Sequence, residues 1–545
     1  MSKTLYSVYR YIVLGLFLII NIWLFLLSIF STSRLTSDAS EHTYYTGDHA
    51  WLHIIILVVL IAAAFYLVRN NIFTRINSYL SNNEKTFIRI RNICLIIIGI
   101  SGAAWVLLTQ SNAGADQYYV LDAARGLRNG DYSAFRYNGY IAKYTNQIGL
   151  LFIEYIIGFI VGDYNYLFWQ LLNVVMIVFT YKMFSDILGI LKLPRIASLS
   201  TIILGILFFP WTLYSVFIYG NVAGLFFATS AFKYTMLFID SLKEFNSFKI
   251  SYIVISAVSM MLSVMVKNNY LIFMIALIIY TVAEALRHRN IQIILVTCAV
   301  IAGFAIQAIV PKLVIEKISG CNVYADGWYS GRIAAFYENN DYDTKKEAEV
   351  SKAEIKGYID TYKNDHKAFT SFLSKKVASQ WNNPEFQCFW ITNVRSSDIE
   401  KSPVISDILS LKGSSTFIAF LNIMQSIILF GSMLYAVNTL IEGTFAGAAV
   451  LPLTFIGGFI FHLFWEGKCQ YTLPYFMLLL PLSIIGFYSM AKKLSSVSKK
   501  YLYKCGVFAV ILLFIAIIFN RFIILNQDNK SYRQYREYTI EQQKL

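Results

Sequence analysis

Charge is what this chain has least of. Of its 545 residues only 14% are Asp, Glu, Lys or Arg, and 57% are apolar. Soluble domains carry about 25% charged and 45–50% apolar residues, so an ordinary soluble domain is excluded on composition. Motifs that announce a chemistry are missing too. The chain has no GxxxxGK[ST] phosphate loop and no HExxH zinc helix. It has no internal repeat, low-complexity tract or flexible linker, and the lack of an inverted repeat argues against a secondary transporter. Cysteine is sparse, at six residues. Cys94, Cys298 and Cys505 lie in or beside apolar runs, where a thiol behaves as a small hydrophobe. Cys321, Cys388 and Cys469 lie in loops, where spacing does not dictate a disulfide. The Asp341-Tyr342-Asp343 triplet has the form of a metal-binding DxD. Acidic triplets are common in solvated loops, so it assigns no cofactor, and a divalent metal is left open.

What the chain does have is apolar sequence in lengths suited to a bilayer, which needs about 20 residues per helix. Hydropathy and loop charge place thirteen spanning helices near 11–30, 51–68, 92–109, 165–184, 196–212, 221–239, 250–266, 269–286, 291–311, 415–437, 446–463, 474–491 and 506–522. The first run is long and is followed only by the weak cleavage site Ser31-Thr32-Ser33, so it reads as a retained helix. A net charge of +14 suggests nucleic acid in a soluble protein. Here basic residues collect in short loops, the pattern of cytoplasmic turns, and no nucleic-acid partner is expected. Arg69, Arg75, Lys85, Arg89 and Arg91 face one acid, Glu84, in the loop 69–91, and Lys492, Lys493, Lys499, Lys500 and Lys504 face none in 492–504. Lys243 with Lys249, and Arg287 with Arg289, mark two further turns. All fall on one side only if the short apolar stretch 148–162 does not cross. The N-terminus is then inside the plasma membrane and the C-terminus outside. Gly158 and Gly162 in that stretch have GxxxG spacing, read as close packing.

This topology divides the chain into an N-terminal hairpin over 1–91, a membrane core over 92–311 with an outer loop 110–164, an outer cap over 312–414, C-terminal helices over 415–522 and a tail over 523–545. The cap balances basic against acidic residues. Val350, Ile355, Ile359, Tyr362, Phe369, Leu373 and Val377 recur within it at helical spacing.

Polar residues concentrate at outer helix ends. Asn112-Ala-Gly-Ala-Asp116-Gln117-Tyr118-Tyr119 follows the third helix, with Arg125 in the short helix that comes next and a turn at Gly130-Asp131. Lys143-Tyr144-Thr145-Asn146-Gln147 precedes the short apolar stretch. Lys267 closes the helix before Asn268-Asn269-Tyr270, and Glu466-Gly467-Lys468-Cys469-Gln470-Tyr471 lies in a late outer turn. A carboxylate such as Asp116 suits general-base chemistry on a hydroxyl. Lys267 and Lys468 suit stabilisation of a phosphate that gains charge as it departs. Each also has a structural role open to it: Asp116 as a helix cap, Lys267 as a snorkelling interface residue, Glu466 as a partner for Lys468.

The order of these segments resembles the GT-C superfamily of membrane glycosyltransferases, in the branch of protein O-mannosyltransferases and lipid A aminoarabinose transferases. Those enzymes carry an acidic residue in the first large outer loop, then interfacial helices, then a YPNQ-like run. Here that run is Tyr144-Thr145-Asn146-Gln147, with threonine in the place of proline. Ile190-Leu-Lys-Leu-Pro194-Arg195 and Phe209-Pro210-Trp211 resemble the family's basic inner turn and following helix. The run Glu466 to Pro474 resembles its outer ExRxRYxxP turn, with Lys468 and Gln470 at the two arginines. The resemblance covers about residues 92–491. It implies an all-α, GT-C-type bundle that transfers a sugar from a polyprenyl-phosphate donor to a cell-envelope polysaccharide, lipid or protein. Asp116 is then the catalytic base, Lys267 and Lys468 bind the donor phosphate, and Gln117, Tyr118, Arg125, Lys143, Tyr144, Asn146, Gln147, Glu466 and Tyr471 are candidate substrate contacts. The competing readings are an envelope-glycan polymerase or ligase and, in another class, a transporter or flippase of lipid-linked saccharide.

Overall fold

The computed structural model describes residues 3–35, 41–136, 139–244, 248–322, 344–396, 401–443 and 447–494. Helix α1 (Lys3–Phe30) runs into a two-stranded antiparallel hairpin, β1 (Ser31–Leu35) and β2 (Thr43–Gly47), with Ser33 opposite Tyr45. Then come α2 (Ala50–Arg69), α3 (Ile72–Asn82), α4 (Glu84–Thr109), α5 (Asp116–Asn129), α6 (Tyr140–Lys143), α7 (Ile148–Val161) and α8 (Tyr166–Ile190). The middle of the chain forms α9 (Arg195–Leu207), α10 (Pro210–Leu213), α11 (Asn221–Glu244), α12 (Ile250–Val266), α13 (Leu271–His288) and α14 (Ile294–Ser319). After it stand α15 (Thr344–Asn364), α16 (His366–Trp381), α17 (Cys388–Arg395), α18 (Pro403–Leu409), α19 (Leu411–Glu442), α20 (Val450–Phe464), α21 (Leu473–Met477) and α22 (Leu479–Leu494).

The architecture is an all-α bundle of an integral membrane protein. Among the described residues, nine helices are long and apolar enough to cross a bilayer, or up to eleven if each of two bent pairs is one span. Every expected span up to 474–491 coincides with a helix, but not all have spanning length. The expected span 250–266 is a 17-residue helix and 446–463 one of 15 residues. The span expected over 196–212 is broken by 60° between α9 and α10, where Pro210 starts a new helix. The span expected over 506–522 lies outside the described residues, as do the Asp341-Tyr342-Asp343 triplet and Cys505.

The basic turns gather at one end of the bundle. Arg195 donates to the Leu80 carbonyl at 2.8 Å, Lys243 meets Glu284 at 3.4 Å, Arg287 lies over Tyr6, and Lys493 meets Glu442 at 3.4 Å. The loop 69–91 is therefore not bare loop: it folds as α3, an amphipathic helix whose Phe73 packs on Tyr488 of α22. The β-hairpin and α16 lie at the opposite end, joined where Ser33 N–H donates to Asn382 O at 3.0 Å and Asn382 Nδ2 to Ser31 O at 2.7 Å.

Helix α7 starts and finishes at that opposite end. It begins beside Gln147, which reaches Tyr219, and ends before Asp163 and Tyr164, which bond Arg128 and Asp122 of α5. Helix α8 then opens with Gln170 donating to the Ser111 carbonyl, just past α4, at 2.7 Å. Both ends of α7 thus lie at the C-terminal end of α4. The two GxxxG glycines have separate duties. A Cβ at Gly158 would stand 2.2 Å from the Arg128 guanidinium, so Gly158 admits that side chain. Gly162 has φ +83° and ends the helix.

The cap pattern splits at Asp365, which caps α16 by accepting from Ala368 N–H at 2.8 Å. Helix α15 is largely exposed. The end of α16 is anchored, with Val377 and Trp381 buried and Trp381 packed on Phe455 and Phe459 of α20.

Candidate functional site

Four stretches converge at the hairpin end: the start of α5, the loop 214–220, the α12–α13 turn, and the loop 465–472. The loop 214–220 is irregular backbone at the end of a membrane bundle, where unpaired peptide groups are costly. Buried amides satisfy it. Asn173 Nδ2 donates to Ser215 O and Phe217 O at 3.1 Å each, Gln170 bonds Val216 O, and Ile218 N–H donates to Gln117 Oε1 at 2.8 Å. Gly220, at φ +73°, closes the loop against α12; a Cβ there would meet the Val266 carbonyl at 2.2 Å. The loop 465–472 is braced by the cap. Lys376 donates to Trp465 O at 2.7 Å, Gln380 to Glu466 O at 3.0 Å, and Thr472 Oγ1 to Gln380 O at 2.6 Å.

The result is a cavity of about 260 Å³ bounded by Asp116, Asn146, Gln147, Tyr219, Lys267 and Lys468, with Glu466 and Tyr471 on one wall. Tyr219 is its organiser. Its ring supports the Lys267 ammonium at 3.9 Å, and its carbonyl accepts from Lys267 Nζ at 3.3 Å. Its hydroxyl accepts from Gln147 Nε2 at 2.5 Å and donates to Asp116 Oδ2 at 3.2 Å. Burial, reinforced by the Asp116 carboxylate, pushes the Tyr219 phenol well above its ordinary range, so it stays a donor. The tyrosine proton thus points at Asp116, a carboxylate on the cavity wall that can accept from a hydroxyl.

Asp116 is not a cap. It is the first residue of α5, and the capping position is taken by Ala115 at φ +48°, ψ −131°. That conformation costs a non-glycine residue about 1–3 kcal/mol and is held where the surroundings over-determine it.

The two lysines differ. Lys468 is held between Glu41 Oε2 at 2.8 Å and Glu466 Oε1 at 3.3 Å. Burial opposes its charge, but Glu466 and Glu41 outweigh that and hold the ammonium above its usual range. Its charge is already compensated, in keeping with the structural reading of Glu466. Lys267 has no carboxylate within 4 Å among the described residues. Burial pushes it down to about 7, against the pull of Asp116 and Glu466.

Seven of the expected residues therefore line one cavity: Asp116, Asn146, Gln147, Lys267, Glu466, Lys468 and Tyr471. Four do not. Tyr118 stacks on Tyr164 outside it, Arg125 is paired with Asp122 at 3.0 Å, and Lys143 and Tyr144 lie half-buried beyond its wall. Gln117 borders an adjoining recess, but its side chain is taken up in holding Ile218. Residues that sequence reasoning passed over are Tyr219, Glu41 and Arg395, the last two lining that recess with Trp390 and Gln470. Tyr219 sits at a polar break, Tyr219-Gly220-Asn221, between two apolar runs, and that break was the available signal. Helix α17 separates the recess from an apolar groove of about 440 Å³ walled by Trp105, Phe209, Leu213, Phe389 and Phe417. Phe389 lines the groove, and Trp390 and Arg395 the recess.

Among the described residues no group of three His, Cys, Asp or Glu side chains is arranged to hold a metal ion. No protein-family model, no curated protein and no solved structure matches this chain.

Proposed function

We propose that the protein is a GT-C-type glycosyltransferase that moves a sugar from a polyprenyl phosphate to a cell-envelope acceptor, with its cavity on the outer face of the plasma membrane. The observation that carries this reading is the Asp116–Tyr219–Lys267 arrangement: a carboxylate whose geometry is set by a phenol, with an ammonium on the same ring. Asp116 takes the proton as the acceptor oxygen attacks the anomeric carbon. The bond from that carbon to the phosphate oxygen breaks, and the electron pair leaves with the phosphate, which gains charge beside Lys267. The basic turns lie at the other end of the bundle, which supports an outer cavity by the positive-inside rule. The apolar groove beside α17 supports a lipid-borne donor. A single displacement of this kind inverts the anomeric carbon.

The test is transfer by protein reconstituted in lipid, supplied with a polyprenyl-phosphate sugar and an envelope acceptor fraction. Asp116→Asn keeps the side-chain shape and removes the base. Loss of transfer by about 10²–10⁴-fold in a normally folded protein is expected. Equal turnover by the variant removes Asp116 from the chemistry.

A further inference from the structure

The end of the bundle remote from the cavity holds a second charged cluster, which the proposed reaction does not use. Asp186 on α8 is its hub. Its Oδ2 accepts from Lys233 Nζ at 2.7 Å and from Lys182 Nζ at 3.0 Å, and Arg91 Nη1 lies 3.4 Å from Oδ1. Three cations from α4, α8 and α11 share one carboxylate. Arg91 also lies over the Phe87 ring, with Arg195 5.2 Å from the same ring. The Arg91 Nε is buried and has no hydrogen-bond partner.

Depth makes this excess of positive charge informative. Asp186 is about one turn from the end of α8, and Lys233 is about 16 Å along α11 from its C-terminus, at 1.5 Å per residue. Uncompensated charge inside a membrane span marks a site or a partner. The cluster is not sealed: Lys182 is 33% exposed and Arg91, Lys233 and Asp186 are each 17% exposed. Ile90 and Ile93 on α4 and Val175 and Phe179 on α8 present an exposed apolar surface close by along the same helices.

We propose that Arg91, Lys182 and Lys233 bind the phosphate of an anionic phospholipid in the leaflet remote from the cavity. The phosphate brings the negative charge the cluster lacks, and the acyl chains lie along the exposed apolar residues of α4 and α8. A free phosphate ion meets the same cations but leaves that surface unused.

Native mass spectrometry of the detergent-purified protein, titrated with phosphatidylglycerol or phosphatidylcholine, tests this. Phosphatidylglycerol is expected to be retained about tenfold more than phosphatidylcholine, a difference of about 1.4 kcal/mol. Lys182→Gln with Lys233→Gln brings the two lipids level, and Lys492→Gln with Lys493→Gln leaves the preference intact. Asp186→Asn, which removes the one carboxylate, strengthens phosphatidylglycerol retention. A purely structural ion cluster gives the reverse: Asp186→Asn lowers Tm and leaves lipid retention unchanged. Equal retention of the two lipids by the natural protein, or a preference untouched in the double lysine variant, overturns the proposal. Where the double variant fails to fold, Lys182→Gln alone serves, with a partial loss expected and an unchanged preference again overturning it. Abolition of the preference by excess inorganic phosphate assigns the cations to a free anion and overturns the lipid assignment.

Discussion

Lys267 and Tyr219 show how much a single side chain's surroundings decide. Lysine is ordinarily charged up to about pH 10.4, but burial brings Lys267 down to about 7. Its charge is therefore complete only below neutrality, and a bound phosphate draws the proton back. Donor kcat/KM is expected to fall as pH rises through about 7. Lys267→Arg, whose guanidinium stays charged, moves that limb upward; a limb unmoved by Lys267→Arg assigns it to another group. The stability effect has the opposite sign. Between about 7 and 10.5 the unfolded chain holds a proton on this lysine that the folded protein lacks, so its contribution to stability increases with pH across that window. Below it the cost of charging a buried amine is present in full. In the proposed reaction Tyr219 acts as a positioning residue. Tyr219→Phe keeps the ring under Lys267 and removes the hydroxyl between Gln147 and Asp116. A hydrogen bond to a charged group contributes about 1.5–3 kcal/mol, so kcat is expected to fall about ten- to a hundredfold with donor KM little changed. A rise in KM alone places Tyr219 in binding instead. Both lysines were legible as polar residues closing apolar runs. That Lys468 is spent between two carboxylates was not, because Glu41 lies more than four hundred residues away in the chain.

At the scale of elements, α5 and α7 act as one unit against the bundle. Arg128 of α5 donates to the Glu154 and Tyr155 carbonyls of α7 at 3.0 and 3.1 Å and pairs with Asp163. Gly158 leaves the space for it. Gly158→Val forces the guanidinium out, and overpacking of this kind costs about 1–3 kcal/mol. A lower Tm is expected together with reduced transfer, since α5 starts at Asp116. Gly158→Ala is the milder variant; a Tm unaffected by either substitution shows that Arg128 does not dock the pair. The spacing Gly158-x-x-x-Gly162 suggested helix packing because the pattern is blind to which neighbour fills the gap. The same limit applies to the cap, where one helical periodicity turned out to be two helices divided at Asp365, one exposed and one anchored by Trp381.

For the whole molecule the open quantity is orientation. The cavity and the basic turns occupy opposite ends, so two labels settle it. In a cysteine-substituted protein within intact cells, Tyr358→Cys on the exposed face of α15 is expected to react with an impermeant thiol reagent, and Arg289→Cys only after lysis. The reverse result turns the bundle over and with it the proposed outer reaction.

Composition and hydropathy by themselves determined that this chain lives in a bilayer and is helical, because a span must be apolar and must satisfy its own backbone. Loop charges give only an expectation, that the basic turns lie inside and that 148–162 does not cross, and the two labels test it. The polar clusters at helix ends named seven residues of one cavity. Only the tertiary structure decided which of them meet. Tyr219, which joins Asp116, Gln147 and Lys267, sits in a loop whose course is held by amides from α5 and α8, and contacts between segments so far apart in sequence leave no local periodicity to read.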